Sequence, residues 1–370
     1  MEKRKIDAAV VGLGGNGWGT VQAALAADHI GRVVGVDINE EQCRKAASEL
    51  NIAVTTSLDE VLDDDRIELI YISANNSAHY PIGKLALERG KKVCMEKPMG
   101  VTLAETEDLL RIVKKTGGFL HVGFELRHFS KLYTRIKEIL DSGEIGSLRH
   151  INCQYSLSPF GTATEAERWK YNRELSGGLF QEKLCHYIDL PRWWDGTRVC
   201  RYFVTKAENV IPYYQISDNF ELTYQFESGV VSHLSFLTGA AGAGECDLID
   251  TELLERQDGE GYRLSYQVVG SEGALEANVF RRQLRVFHHP GKSGLNGKSK
   301  MVRMEKWKHR DDHLWFHNTT DEKKDVARRA ALGLPPVITP EDAAETMRLC
   351  FEFEEAATQP WKVVERRGLL

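Results

Sequence analysis

The chain has 370 residues, 42% hydrophobic and 28% charged, a mixture that buries a core and excludes a wholly disordered or fibrous protein. Its 48 Lys and Arg against 54 Asp and Glu leave a net charge of −6, which speaks against an overall basic nucleic-acid binder. At roughly 150 residues per domain the length predicts two domains; no run nears about 18 apolar residues, so no membrane span is expected.

The start, Met1 to Lys5, leads into a strand rather than a secretory leader. Seven scattered cysteines without a CxxC read as reduced thiols of a cytoplasmic protein. The first third predicts alternating strands and helices. Ile6 to Val11 is a strand, followed at once by Gly12-Leu13-Gly14-Gly15-Asn16-Gly17 and a helix from Trp18 to Ala27. Val33 to Val36 is a strand ending at Asp37, Glu40 to Leu50 a helix, and Ile52 to Val54 a strand. A short helix over Leu58 to Leu62 has Ser57 as cap and Glu60 as the third residue of a capping box. Then come a strand over Ile67 to Ser73, a helix over Tyr80 to Arg89, a strand over Lys92 to Met95, a helix over Leu103 to Lys115 capped by Thr102, and a strand at Phe119 to Val122. Short, nearly continuous apolar strands between helices predict a parallel, doubly wound sheet with its ligand crevice beyond the strand ends.

Gly12, Gly14 and Gly17 have GxGxxG spacing between a strand and a helix. The first suits the tight turn, the second a close backbone approach to pyrophosphate, the third close helix–sheet packing. Asp37 stands 25 residues after Gly12, where a carboxylate accepts ribose hydroxyls and repels a 2′-phosphate, so NAD is favoured over NADP. Ile38 follows it at the same rim. The loop Ser73-Ala74-Asn75-Asn76-Ser77-Ala78-His79 shares that rim, with Ser73, Asn75, Asn76 and His79 as cofactor contacts; for His79, capping the next helix is the competing reading.

Glu96-Lys97-Pro98 leaves a strand end. Lys97 in a cleft can donate to a substrate oxygen and tune a neighbouring acid–base group, and a solvated charge pair before a turn is the plain alternative. Glu96 either lies beside the cofactor or pairs with a positive group.

The pattern changes near Gly123, giving a nucleotide-binding domain over 1–123 and a substrate-binding and oligomerisation domain over 124–370, with packing of the C-terminal helices back toward the first domain as an open alternative. The second domain predicts strands at Leu148 to Tyr155, Val199 to Thr205, Asp218 to Phe226, Val230 to Leu237, Asp247 to Leu254, Tyr262 to Val269, Gly273 to Asn278 and Leu284 to His288. This is a large mixed, mostly antiparallel sheet with helices on one face. A second subunit over the other face predicts a homodimer or homotetramer. After the turn Ser176-Gly177-Gly178 a helix carries Glu182 and His186, four apart, and Asp189. His186 reads as an acid–base group, as a core histidine satisfied by Asp189 or Glu182, or as a metal ligand beside Glu182; no third ligand stands out, so no metal is assigned. Arg127, Trp169 and Lys170 are candidate substrate contacts, with Trp169 equally readable as core. His317 reads as a residue that helps close the pocket or, more readily, as a cap or surface residue. Residues 281–310 hold ten Lys or Arg and read as an exposed hairpin or loop or a subunit contact, with contact to a polyanion or charged substrate as the alternative. Neither tail helix, Asp312 to Leu334 or from Thr339 to Ala357, carries an informative cluster of side chains.

Taken together, the glycine loop, the Asn76 to His79 segment, Glu96-Lys97-Pro98 and Gly177-Gly178 leading to His186 and Asp189 resemble the glucose–fructose oxidoreductase / inositol dehydrogenase (Gfo/Idh/MocA-like) family, from about Lys5 to Ala357. The resemblance implies a Rossmann domain, NAD(P) as cofactor and a carbohydrate, glycoside or polyol as substrate. It implies that Lys97 bonds the reacting hydroxyl and that His186 exchanges its proton. Glu182 stands where many sugar dehydrogenases of the family have aspartate, and Lys183-Leu184-Cys185 departs from the family's small, glycine-containing segment. The activities implied are hydride transfer at a secondary alcohol, with sugar C3 as one target, redox-neutral glycoside cleavage through transient C3 oxidation, or non-catalytic ligand sensing.

Overall fold

The computed structural model describes residues 4–157, 169–238, 263–291, 298–359 and 364–365. The predicted strand 247–254 lies outside them. The chain divides into two compact units, one made of residues 1–125, 172–185 and 318–351, the other of 126–171, 186–317 and 352–370.

The first unit opens with β1 (Ile6–Val11), α1 (Gly15–Leu25), β2 (Ile30–Val36), α2 (Glu40–Leu50), β3 (Ala53–Thr55) and α3 (Leu58–Leu62). It continues with β4 (Ile67–Ile72), α4 (Asn76–Glu88), β5 (Lys92–Glu96), α5 (Leu103–Thr116) and β6 (Leu120–Gly123). The strands form one parallel sheet in the order β3-β2-β1-β4-β5-β6. The chain leaves β1 in one direction to β2 and in the other to β4, so the sheet's switch point lies between the exits of β1 and β4. Ala8, Val10, Leu69, Tyr71 and Cys94 are fully or almost fully buried, as expected of strands covered on both faces. Thr102 and Glu105 form a reciprocal capping box at α5, whereas Ser57 at α3 accepts only the Glu60 N–H. Two helix starts differ from expectation: α1 begins at Gly15 and α4 at Asn76, because glycine and amide residues there sit in the first turn of each helix.

The tail corrects a second expectation. The predicted helix from Asp312 breaks after Trp315, and a separate helix runs over Thr319–Leu332 with Asn318 accepting the Asp321 N–H. That helix belongs to the first unit and packs on α1, β5 and β6. Val326, Ala327, Ala330 and Ala331 join the core beneath β1 and β4.

The second unit is built on a nine-stranded sheet. Its strands are β7 (Leu148–Leu157), β8 (Val199–Thr205), β9 (Asn219–Phe226), β10 (Val231–Thr238), β11 (Arg263–Gly270), β12 (Gly273–Asn278), β13 (Gln283–His288), β14 (Lys300–Lys306) and β15 (Val364–Glu365). The order is β14-β13-β12-β11-β7-β10-β9-β8-β15, with β7 and β10 parallel and the other pairs antiparallel. Alternate residues of β9 to β11 are buried, and one face is covered by aromatic contacts from two helices. Tyr133 of the Lys131–Asp141 helix and Trp194 of the Cys185–Asp195 helix both meet Tyr266 edge-on. In the basic stretch β13 and β14 pair antiparallel, in keeping with the hairpin reading, and β14 is an edge strand tied through Arg303 to Glu144. No described helix is long and apolar enough to cross a membrane.

Candidate active site

The glycine loop behaves as its spacing implies. Gly12 has φ +89°, and a Cβ there would lie 2.6 Å from the Ala74 nitrogen. A Cβ on Gly17 would come 1.8 Å from the Gly12 carbonyl oxygen, so only glycine lets α1 pack this close. By contrast Gly14, Gly15 and Asn16 are exposed, and a Cβ on Gly14 would meet nothing within 4 Å. The first turn of α1 carries no acid and no side-chain cap, so its N–H groups are left to an incoming anion. The residues therefore fit a dinucleotide pyrophosphate.

Asp37 stands beside this loop. Its Oδ2 accepts the Leu13 N–H at 2.8 Å and its Oδ1 the Asn39 N–H at 2.8 Å. Each oxygen keeps a lone pair for a ribose hydroxyl, and the carboxylate also holds the loop itself. Ile38 is 95% exposed, an apolar side chain at the rim beside it.

The β4 exit is more tightly braced than its sequence suggests. Ser73 Oγ bonds Thr20 Oγ1 at 3.0 Å, and Asn76 Nδ2 donates to the Ser176 carbonyl at 2.9 Å. His79 is buried with Nδ1 2.7 Å from the Pro98 carbonyl and Nε2 3.0 Å from that of Ala74. Burial lowers its pKa, outweighing the two carbonyls. A neutral ring has one N–H, so one of these two contacts carries the donated bond at a time. His79 thus ties the Lys97–Pro98 corner to the β4 exit. Asn75 caps α4 without spending its side chain on the helix, and it is exposed.

Lys97 leaves the end of β5, and its ammonium donates to the Glu182 carbonyl. Burial disfavours the ammonium, but Glu182, Cys185, Glu96 and Glu125 outweigh it and hold the pKa above the ordinary lysine value. Lys97 is therefore a charged donor and a poor base at neutral pH. Glu96 faces the opposite helix layer: its Oε1 accepts from Lys323 Nζ at 2.7 Å. The predicted pairing with a positive group is thus present. Lys323 also donates to Glu322 Oε2 at 2.8 Å, and Glu322 Oε1 lies 3.0 Å from His121 Nε2. Lys323 and Glu322, on a helix read as uninformative, are the residues the sequence reading missed.

Phe180–Leu184 is a π-helical turn running directly into the Cys185–Asp195 helix. With i→i+5 bonding each residue advances by less than 100°, so the α-helical register assumed between Glu182 and His186 does not hold across it. Gly177 and Gly178 precede the turn with φ +86° and +111°, conformations suited to glycine.

The remaining residues lie in the second unit. His186 is 6% exposed, and its ring meets that of His317 edge-on at 5.9 Å. His317 is itself partly buried beside it, and nothing in its local sequence signals the pairing. Asp189 Oδ2 lies 2.9 Å from Arg127 Nε, both side chains buried, and Arg192 stands 3.9 Å from Oδ1. Arg127 is thus engaged with the helix that carries His186. Lys170 Nζ lies 6.0 Å above the Trp169 ring. Among the described residues no group of His, Cys, Asp and Glu could hold a metal ion.

Two family descriptions match the chain. An oxidoreductase family with an NAD-binding Rossmann fold matches residues 6–124, and a GFO/IDH/MocA C-terminal domain matches residues 133–276. The "Uncharacterized oxidoreductase YrbE" of Bacillus subtilis (strain 168) is 29% identical over 279 residues, 75% of each chain. Myo-inositol 2-dehydrogenase of Thermotoga maritima is 23% identical over 321 residues, 86% of each. Levoglucosan dehydrogenase, solved in complex with NADH and levoglucosan, superposes with a TM-score of 0.78 at 18% identity, covering 98% of this chain and 99% of that one, a likeness of fold. With the glycine loop, its acid and the strand-end lysine all in place on that fold, the chain belongs to the Gfo/Idh/MocA-like family of NAD-binding oxidoreductases.

Proposed function

We propose that the protein transfers hydride between a secondary hydroxyl of a sugar, polyol or glycoside and NAD(H), with Lys97, His186 and Glu182 serving the reacting carbon. The observation that carries this reading is the Lys97 ammonium, held charged at a strand end by Glu182, Glu96 and Glu125 with the Cys185 thiol nearby, and bonded to the Glu182 carbonyl. A charged donor of this kind stabilises the alkoxide that develops as a hydroxyl is oxidised. Because Lys97 keeps its proton, the hydroxyl proton goes to an imidazole, and His186 is our assignment. Glu182 grips a further hydroxyl or tunes that imidazole. When bound, NAD+ supplies the hydride acceptor and the protein supplies alignment. Asp37, with Ile38 beside it, supports NAD over NADP. Trp169 with Lys170, and Arg127 beside Asp189, are the proposed border of the sugar site.

Relatives named for myo-inositol and levoglucosan are named for polyhydroxylated rings bearing secondary alcohols, in keeping with this substrate class. For a glycoside we place the oxidised carbon at C3. The test is a panel of inositols, levoglucosan and alkyl and aryl glycosides incubated with NAD+. NADH absorbance is followed and products are identified by NMR. Stoichiometric NADH with a keto product supports the proposal. Release of aglycone on catalytic NAD+ without net NADH replaces it with the redox-neutral route, and absence of turnover throughout replaces it with ligand sensing.

A further inference from the structure

The buried charges behind Glu96 take no part in the hydride step. Cys94 and Glu96 face the Thr319–Leu332 helix, while Met95 between them faces α4, as strand alternation requires. Lys323 is 2% exposed and Glu322 is fully buried. A buried ammonium between two carboxylates is costly to desolvate and gives no assured gain in stability over apolar packing. What such a pair does supply is register, since sliding the helix along the sheet would carry Lys323 Nζ away from Glu96 and Glu322 away from His121. His121 of β6 closes the chain through Glu322, so β5, β6 and the helix are held in one arrangement. Lys97 is the next residue along from Glu96.

We propose that Lys323 is a positioning residue for the reaction: by gripping Glu96 from the rear of the sheet it fixes the strand end from which Lys97 reaches the Glu182 carbonyl, and it offsets the Glu96 charge that would otherwise draw the Lys97 ammonium back toward the strand. Its bearing on catalysis rests on the reading of Lys97 given under the proposed function. The ionisable groups that act most on Lys97 are Glu182, Cys185, Glu96 and Glu125, with His79 also facing it, and those that act most on Lys323 are Glu322, Glu96 and Cys94, with Tyr71 also facing it.

The test compares full-length wild type and Lys323→Met, both with NAD+, by pulse acylation with acetic anhydride across a pH series. Each lysine is read by mass spectrometry. Removing the Lys323 charge leaves Glu96 free to act on Lys97. The labelling midpoint of Lys97 then moves up by about half a pH unit or more. Exposed Lys115 keeps its midpoint, and NAD+ affinity, read by tryptophan quenching, stays within about threefold. An unmoved Lys97 midpoint overturns the proposal, as does an equal shift at every lysine. Should Lys323→Met fail to fold because Glu322 is stranded, the double variant Glu322→Gln/Lys323→Met removes that charge and is read the same way. Failure of both to fold overturns positioning in favour of a purely structural pair. Turnover of Lys97→Ala is measured separately. A shifted midpoint alongside a fully active Lys97→Ala keeps the grip and sinks the catalytic reading; an unmoved midpoint with an inactive Lys97→Ala does the opposite.

Discussion

A lysine beside a reacting oxygen can act as base or as charged donor, and the surroundings of Lys97 decide between them. Glu182, Glu96 and Glu125, with the Cys185 thiol, favour its ammonium over the opposing effect of burial. Replacement by alanine should therefore remove a transition-state interaction while leaving the dinucleotide crevice intact. We expect Lys97→Ala to lower kcat on any substrate found in the glycoside and polyol panel by about 100-fold or more, with NAD+ affinity changed by no more than about threefold. Near-normal turnover would remove Lys97 from the mechanism. His79 is the opposite case, a histidine at the same rim whose two nitrogens are occupied by framework carbonyls. Burial keeps its pKa below the usual histidine value. An unfolded chain takes up a proton near pH 6.5 that the folded chain resists. The stability contributed is complete above that pH and is lost as pH falls through the window beneath it. Wild type should lose melting temperature as pH falls below about 6.5, and His79→Gln should show a shallower loss over the same interval. Equal slopes would mean that His79 does not carry the effect. Carboxylates with lowered pKa, such as Glu322, act in a more acidic window and do not confuse the comparison.

At the scale of elements, what the sequence makes legible is what lies close together along it. The βα alternation, the glycine turn and the Thr102 cap are contiguous signals, and the six-stranded order follows from them. Three features escape that reading. The π-helical turn at Phe180–Leu184 escapes a reading that assumes 3.6 residues per turn. The strand Lys300–Lys306 carries three basic residues and exposed Met301, Val302 and Met304, so it shows no apolar alternation until β13 is there to pair with it. Lys323 looks like a solvated helix charge because its partner Glu96 is 227 residues away. The glycines allow a paired test of the element that is legible. A methyl group on Gly17 collides with the Gly12 carbonyl, whereas one on Gly19, in the same helix, meets nothing within 4 Å. Gly17→Ala should cost about 1–3 kcal/mol in stability and weaken NAD+ binding at least about tenfold, while Gly19→Ala should gain up to about 1 kcal/mol by reducing unfolded-chain freedom. Chemical denaturation and NAD+ titration check both, and similar behaviour of the two variants would sever the link between the close α1 packing and the cofactor site.

On the scale of the whole molecule, neither unit is a continuous stretch of chain. The first gathers residues 172–185 and 318–351 from beyond the parallel sheet, so long-range pairings such as Tyr71 Oη to the Lys323 carbonyl, at 2.9 Å, bind the tail helix into the nucleotide-binding core. The second unit poses the question of what covers its sheet. One face packs on helices, and the other presents Asn152, Gln154, Ser265, Gln267, Glu276 and Arg285 around a cavity of about 360 Å³. Nine strands at about 4.8 Å spacing, each about 20 Å long, give a face of roughly 800 Å², the area one partner contributes to a stable interface. Its chemistry, amides with both charge signs and few apolar groups, is self-complementary about a two-fold axis, where each residue meets the same patch of a second copy. We expect the full chain to run as a dimer or tetramer in light scattering at micromolar concentration. Gln154→Arg/Gln267→Arg, which sets like charges against each other across such an axis without touching the buried face, should shift it toward monomer while leaving NAD+ affinity within about twofold. A wild-type monomer, or a double variant that assembles as wild type does, would show that this face is not the seam between copies.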